Sequence, residues 1–233
     1  MTMEDSGFGR IASVLWAPGK TFASIAARPT WWQALVLLSL LGAVSVYVGF
    51  SKVEPADFMR MLDEQGREMP ANAPSPETML QFALWGGVLG AALLAPVVYV
   101  VVALIFWVTL RLLGSEVDFV RSLSVAVHGF LPFAVAALIS IPVVLGRETI
   151  AMEDLQSGQM LASHLGFLAS EETGKAVVAL LTSVDLFSIW CIALLTIGYG
   201  VVARVSRGTA LGVVLSVWIV GVLIKVGMAA AFT

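Results

Sequence analysis

The sequence predicts an all-α integral membrane protein with five transmembrane helices, preceded by an N-terminal amphipathic helical segment in the membrane interface. Three observations support this. Of 233 residues, 59% are hydrophobic and 12% charged, with mean hydropathy +0.94, whereas soluble domains average about 45–50% apolar and 25% charged. Long apolar runs recur at close to the ~20 residues needed to cross a ~30 Å hydrocarbon core. Lys and Arg are concentrated near the ends of these runs on alternate loops. Two regions follow: residues 1–30 as a cytoplasmic amphipathic segment and 31–233 as the five-helix transmembrane domain.

In the first region Phe8, Ile11, Leu15, Phe22 and Ile25 recur at roughly helical spacing, with Arg10, Lys20 and Arg28 between them. Two short amphipathic helices broken near Pro18 and Gly19 are expected. They would serve as a juxtamembrane anchor, or alternatively as a curvature-sensing or docking surface. The same residues contain no continuous apolar core, so no cleavable signal peptide is expected before the first span.

The five spans are Trp31 to Phe50, Leu84 to Leu110, Leu123 to Gly146, Val177 to Ala203 and Thr209 to Phe232. Trp31 and Trp32 mark a membrane boundary. Ser75, Pro76 and Glu77 have the chemistry of a helix cap and first turn, so the second helix begins before its apolar run. Pro96 lies inside that helix as a potential kink. Between the first two spans, PADFMRMLDEQ suits a short helix and MPANAPSP a linker. Before the fourth span, EDLQSGQMLASHLGFL suits a helix on the bilayer surface. His164 within it is assigned no role.

Charge sets the orientation. Arg10, Lys20, Arg28, Arg111, Arg121, Arg204 and Arg207 crowd one side in a short tail and two short loops. Lys52, Arg60, Arg67, Arg147 and Lys175 are spread over two longer acidic loops on the other. The positive-inside rule then puts the N-terminus in the cytoplasm and the C-terminus outside.

Composition also excludes function classes. A formal net charge of −3 with no basic cluster leaves nothing to neutralise nucleic-acid phosphates. The single cysteine, Cys191, allows no intramolecular disulfide, and no Cys and His spacing suits zinc. Paired interfacial carboxylates, H-E-x-x-H and Gly-rich phosphate loops are all missing from the sequence, so neither catalysis nor a cofactor is expected.

The ionisable groups inside the spans are His128, Asp185 and Lys225. Intramembrane charges are functional candidates by default. Arg204 to Gly208 is a short turn, so the last two spans form an antiparallel hairpin. At ~1.5 Å per residue, Asp185 and Lys225 lie about 27 and 24 Å from its inner end. The preferred expectation is an interhelical ion pair between them. Open alternatives are hydrogen bonding of Asp185 without Lys225, and a transport or proton-relay role. His128, about 7 Å from the inner end of its span, is expected to bond to a neighbouring helix. Small residues recur along the second span as Ala83, Gly87, Ala91 and Ala95, beside Gly86 and Gly90. Gly86, Gly87, Gly90 and Ala91 are therefore expected to pack helices, within the bundle or across a homodimer.

Several stretches together resemble a known family: VLWAPGKTFASIA, RLLGSEVDFVRSLSVAVHGFLPF and VDLFSIWCIALLTIGYGVVARVSRGTA. Their order of Pro-x-x-Thr-Phe, Leu-Leu-Gly, Phe-Leu-Pro and Asp-x-Phe-x-Ile-Trp is similar to that in bacterial members of the Yip1 domain family. Pro18, Phe22, Gly114, Pro132, Phe187 and Trp190 are the matching positions. The resemblance implies five spans after a cytoplasmic N-terminal tail. Eukaryotic members act at Golgi and endoplasmic-reticulum membranes in vesicle traffic and associate with Rab-type GTPases. Their Asp-Leu-Tyr-Gly-Pro type motif has no counterpart in this sequence, so the resemblance does not extend to the GTPase link.

The expected function is a non-catalytic membrane scaffold or interaction module in a bacterial cytoplasmic membrane. Its partners would be membrane lipid and a protein partner or second copy, with no nucleic acid. The alternative is a small channel or transporter using Asp185 and Lys225.

Overall fold

Proline and capping side chains decide where most of the helices begin. In the computed structural model, which describes residues 7–66, 70, 72–157, 161–170 and 172–231, α1 (Gly7–Ser13) is followed by α2 (Pro18–Ala27), which opens on Pro18. Proline suits that first position because its missing N–H would have no intrahelical partner there. α3 (Trp32–Phe50) leads to the short α4 (Pro55–Glu64). α5 (Pro76–Leu112) begins at Ser75, whose Oγ accepts from the Thr78 N–H. α6 (Phe119–Gly129) begins at Asp118, whose Oδ1 accepts from the Arg121 N–H at 2.8 Å.

α5 ends in a left-handed glycine. Gly114 has φ of 87°, its N–H bonds to the Arg111 carbonyl, and the Ser115 N–H bonds to that of Leu110. These two bonds satisfy carbonyls that the helix end would leave without partners, and glycine adopts that φ without a Cβ clash.

The remaining elements are α7 (Leu131–Leu145), α8 (Met152–Ser157), a 3-10 turn at Leu165–Leu168, α9 (Lys175–Leu181), α10 (Leu186–Val202) and α11 (Arg207–Ala231). Among the described residues, four helices are long and apolar enough to cross a membrane: α3, α5, α6 with α7 taken together, and α11. The described residues contain no strand, only an isolated bridge between His164 and Asp185.

Three expectations change here. The third span is interrupted at Phe130, because Pro132 in the first turn of α7 has no N–H to offer the carbonyl one turn back. The fourth span, expected to be continuous from Val177 to Ala203, is two helices, α9 and α10, separated at Thr182–Asp185. The surface helix expected over residues 153–168 is instead α8, an extended stretch at His164 and the 3-10 turn. Residues 1–6 of the tail, Arg67, Ala71 in the linker, Glu171 and Phe232 at the expected end of the fifth span lie outside the described residues.

α3 packs along α5 and α7, while α10 is wrapped by α11, α6, α7 and α2. The central core joins Phe106, Leu110, Val125, Leu194, Tyr199 and Val214. α2 contributes to this core directly. Phe22 and Ile25 are fully buried, so the apolar face of α2 is covered by α6 and α10. Phe8 and Trp16 point outward from the same segment.

Candidate functional site at a broken helix

The interruption between α9 and α10 follows from its own side chains. The Thr182 hydroxyl donates back to the Val178 carbonyl at 2.9 Å and the Ser183 hydroxyl to that of Ala179 at 2.7 Å, closing α9. Asp185 then takes an extended conformation, φ −129° and ψ 147°, and its Oδ2 accepts from the Ser188 N–H at 3.0 Å. Aspartate is among the best residues for such a cap, since its short carboxylate reaches a first-turn N–H from a non-helical backbone. Asp185 is therefore the N-terminal cap of α10, not a residue in mid-helix.

A second segment closes over the break. The Leu165 N–H donates to the Val184 carbonyl at 3.1 Å and the Leu186 N–H to that of Ser163 at 3.0 Å, placing His164 opposite Asp185 in an antiparallel bridge. His164 is only 8% exposed, and its Nδ1 accepts from the Gly166 N–H at 3.0 Å. With Nδ1 an acceptor, the proton of the neutral ring is assigned to Nε2. Gly166 has to be glycine: a Cβ there would lie 2.6 Å from His164 Nδ1 and 2.9 Å from Thr182 Cγ2.

Depth matching brings Asp185 and Lys225 to one cavity of about 390 Å³, lined also by His164, Ser140, Thr182 and Ser188. It does not join them in an ion pair. Lys225 Nζ donates to Thr182 Oγ1 at 2.9 Å, and the described ion pairs are Arg60 with Asp57 and Glu64, and Arg121 with Asp118. The direct pair fails because Asp185 turns its Oδ2 into the start of α10. Its Oδ1 and the Nε2 of His164 are buried and bond to none of the described residues. A second, apolar cavity of about 350 Å³ adjoins the first, with Phe106, Phe130, Cys191 and Trp218 in its wall. The two cavities share Phe133, Thr182, Ser188 and Lys225.

The other end of the bundle is cross-braced. Arg10 is 2% exposed and donates to the Arg28 carbonyl at 2.6 Å, Thr30 Oγ1 at 3.1 Å and Ser24 Oγ at 2.7 Å. This single guanidinium fastens α1 to the end of α2. Arg121 Nε donates to the Ala26 carbonyl at 2.8 Å, tying α6 to α2, and its guanidinium also bonds to Asp118. The Ser115 hydroxyl donates to the Ala203 carbonyl at 2.9 Å, and Ser122 and Tyr199 share hydrogen bonds in the core. Burial alone would raise the Asp118 pKa. Hydrogen bonds from the Arg121 backbone and side chain, with its charge, outweigh that and hold it below the usual carboxylate range. His128, also buried, bonds through Nδ1 to the Ser124 carbonyl of its own helix at 2.8 Å, rather than to a neighbouring helix.

The small residues of α5 divide between two faces. A Cβ on Gly87 would lie 3.1 Å from Val46 Cγ1 of α3, whereas one on Gly86 or Gly90 would meet nothing within 4 Å. Ala91 is half-buried. Of the motif positions, Phe22 and Pro132 are buried and Phe187 lines the cavity beside Asp185. Trp190 packs against the core one turn further on.

The Yip1 domain profile matches residues 12–228, nearly the whole chain. The chain belongs to the Yip1 domain family. It is 24% identical over 206 residues, covering 88% of its length and 82% of the relative's, to the membrane protein YknW of Bacillus subtilis (strain 168). No solved structure matches it. This Yip1 protein is thus a membrane protein with several apolar helices.

The sequence pointed to Asp185 and Lys225 but not to the groups that complete their surroundings. Thr182-Ser183 followed by Asp185 is a helix stop and a helix start in succession, hidden because the flanking residues are uniformly apolar. His164 and Gly166 carry no local signal, since their role depends on a bridge formed in three dimensions.

Proposed function

We propose that this Yip1 protein is a non-catalytic scaffold or interaction module of a bacterial cytoplasmic membrane, engaging lipid or protein partners in membrane organisation. It crosses five times, with α9 and α10 together as the fourth crossing, the N-terminus cytoplasmic and the C-terminus outside. The clustering of Arg10, Arg121, Arg204 and Arg207 at the braced end supports that orientation.

The observation that carries the scaffold reading is the bracing. Arg10, Ser115, Arg121 and Tyr199 tie α1, α2, α6, α10 and the turn after α5 to one another through hydrogen bonds to backbone carbonyls. Such ties favour one arrangement of the helices over the rocking that alternating access needs. Meanwhile the outward faces of α5 and α11 remain apolar and exposed, as at Leu93, Leu94, Leu223 and Ile224.

The break at Thr182–Asp185 favours a second reading, a small channel or transporter using Asp185 and Lys225, because discontinuous helices line transport sites. Flux of protons and small ions in liposomes separates the two. The scaffold reading expects wild type and Asp185→Asn to leak no faster than protein-free vesicles. A specific flux lost in the variant would overturn it.

A further inference from the structure

Four features meet at the end of α10 away from the braced tail. Asp185 Oδ1 is a buried acceptor and His164 Nε2–H a buried donor, neither bonded to the described residues. Lys225 Nζ uses one of its three protons on Thr182. The cavity these groups line shares Phe133, Thr182, Ser188 and Lys225 with a more apolar one. Unbonded buried polar atoms are costly in a protein interior and need a partner.

The charges limit what that partner is. A simple cation would meet Lys225 and a simple anion would meet Asp185 across the same cavity. A group with both signs satisfies both: an ammonium donates to Asp185, and a phosphate accepts from Lys225 and His164. The absence of a direct Asp185–Lys225 pair keeps both charges available for this. The adjoining apolar cavity asks for a hydrocarbon continuation. At about 390 and 350 Å³, both cavities fall within the ~300–1,000 Å³ range of small-molecule sites.

We infer that the cavity between His164, Asp185 and Lys225 binds the headgroup of an amine-bearing phospholipid of the phosphatidylethanolamine type, with part of a chain in the cavity behind Phe133. This rests on the reading of the protein as an interaction module and names its lipid. Gly166 is the positioning residue, since any side chain there would displace His164 or Thr182.

The test is native mass spectrometry of the full chain in mild detergent. Dioleoyl phosphatidylethanolamine, dioleoyl phosphatidylglycerol and soluble glycerophosphoethanolamine are titrated separately and in competition. The ethanolamine lipid should be retained at about tenfold lower concentration than the glycerol lipid, the scale of one charge-assisted contact. Asp185→Asn keeps the α10 cap and removes the charge, so it should bring the two lipids to parity at unchanged melting temperature. Lys225→Met should weaken both. The soluble headgroup should compete only at far higher concentration. Equal retention of the two lipids by wild type, a preference that survives Asp185→Asn, or competition by the soluble headgroup as strong as by lipid would each overturn the inference. Failure here without flux in liposomes would leave the scaffold reading standing, whereas flux would remove it.

Discussion

Lys225 Nζ donates to Thr182 Oγ1 at 2.9 Å, while the neighbouring Asp185 directs its Oδ2 to the Ser188 N–H at 3.0 Å. Two opposite charges thus share a cavity without sharing a bond. The energetic coupling of Lys225 should therefore be with Thr182. In a double-mutant cycle followed by denaturation in detergent, Lys225→Met and Thr182→Val should couple by about 0.6 kcal/mol, with ~1.7 as the upper end for hydrogen bonds between membrane helices. Lys225→Met and Asp185→Asn, which share the cavity without a bond, should couple more weakly than that first pair. A larger coupling in the second cycle would mean that a direct ion pair forms in the membrane.

Asp185 tests the cap more directly. Asn accepts the Ser188 N–H as well as Asp does, whereas Ala offers no acceptor. Asp185→Asn should be close to wild type in stability, and Asp185→Ala should lose about 1 kcal/mol, the usual worth of an N-cap. Protease cleavage between Thr182 and Leu186 should rise only in the alanine variant. Equal loss in both would move the importance of Asp185 from its cap to its charge.

These residues also show what was legible in advance. Hydropathy located the four helices that, among the described residues, are long and apolar enough to cross a membrane, because lipid requires long apolar helices and composition records them directly. Depth counting from the Arg204–Gly208 turn placed Asp185 and Lys225 at one level, and the structure puts them around one cavity. The break between α9 and α10 was hidden because capping uses one side chain among many apolar ones. In the sequence Arg10 reads as one basic residue of an amphipathic helix. Its actual surroundings, the carbonyls at the end of α2, depend on how α1 folds back, and no period in the sequence encodes that.

Glycines separate contact from spacing on the same principle. A Cβ on Gly198 would lie 2.6 Å from Val125 Cγ1 and 2.9 Å from the Phe22 ring, and one on Gly129 would lie 2.4 Å from Leu195 Cδ2. Gly198→Ala should cost about 1–3 kcal/mol through overpacking and loosen α2, seen as faster proteolysis near Trp16. Gly86→Ala, with nothing within 4 Å, should leave the monomer as stable or slightly more so, since alanine is the better helix former. A change in oligomeric state with Gly86→Ala would show that a second copy covers that face.

Acid should weaken the cap of α6. Burial alone would raise the Asp118 pKa, but the hydrogen bonds from Arg121 and its charge together outweigh this and hold it below the ordinary value of 3.8. A carboxyl depressed on folding contributes stability above its unfolded pKa and loses it as pH falls through the folded value. Protection of the Arg121 amide from hydrogen exchange, corrected for intrinsic rate, should therefore be flat from pH 7 to 5 and decline below about pH 4. Asp118→Asn should remove that decline while keeping a cap. The effect should be small, because Asp118 is half exposed and screened by water.

Arg10 carries the largest expected loss. Its guanidinium is buried and donates to three acceptors on α2 and the residues just after it, and hydrogen bonds from a charged group are each worth about 1.5–3 kcal/mol. Arg10→Ala would leave the Arg28 carbonyl and Ser24 without this donor, and should cost roughly 2–3 kcal/mol in that light. Arg10→Lys should recover less than half, because a point charge cannot reach acceptors on both sides as a planar fork does. The diagnostic readout is local: exchange of α1 and α2 amides should accelerate in both variants while α3 and α5 stay protected. Loss spread evenly over all the helices would mean that Arg10 supports the bundle as a whole and not the attachment of the N-terminal helices to it.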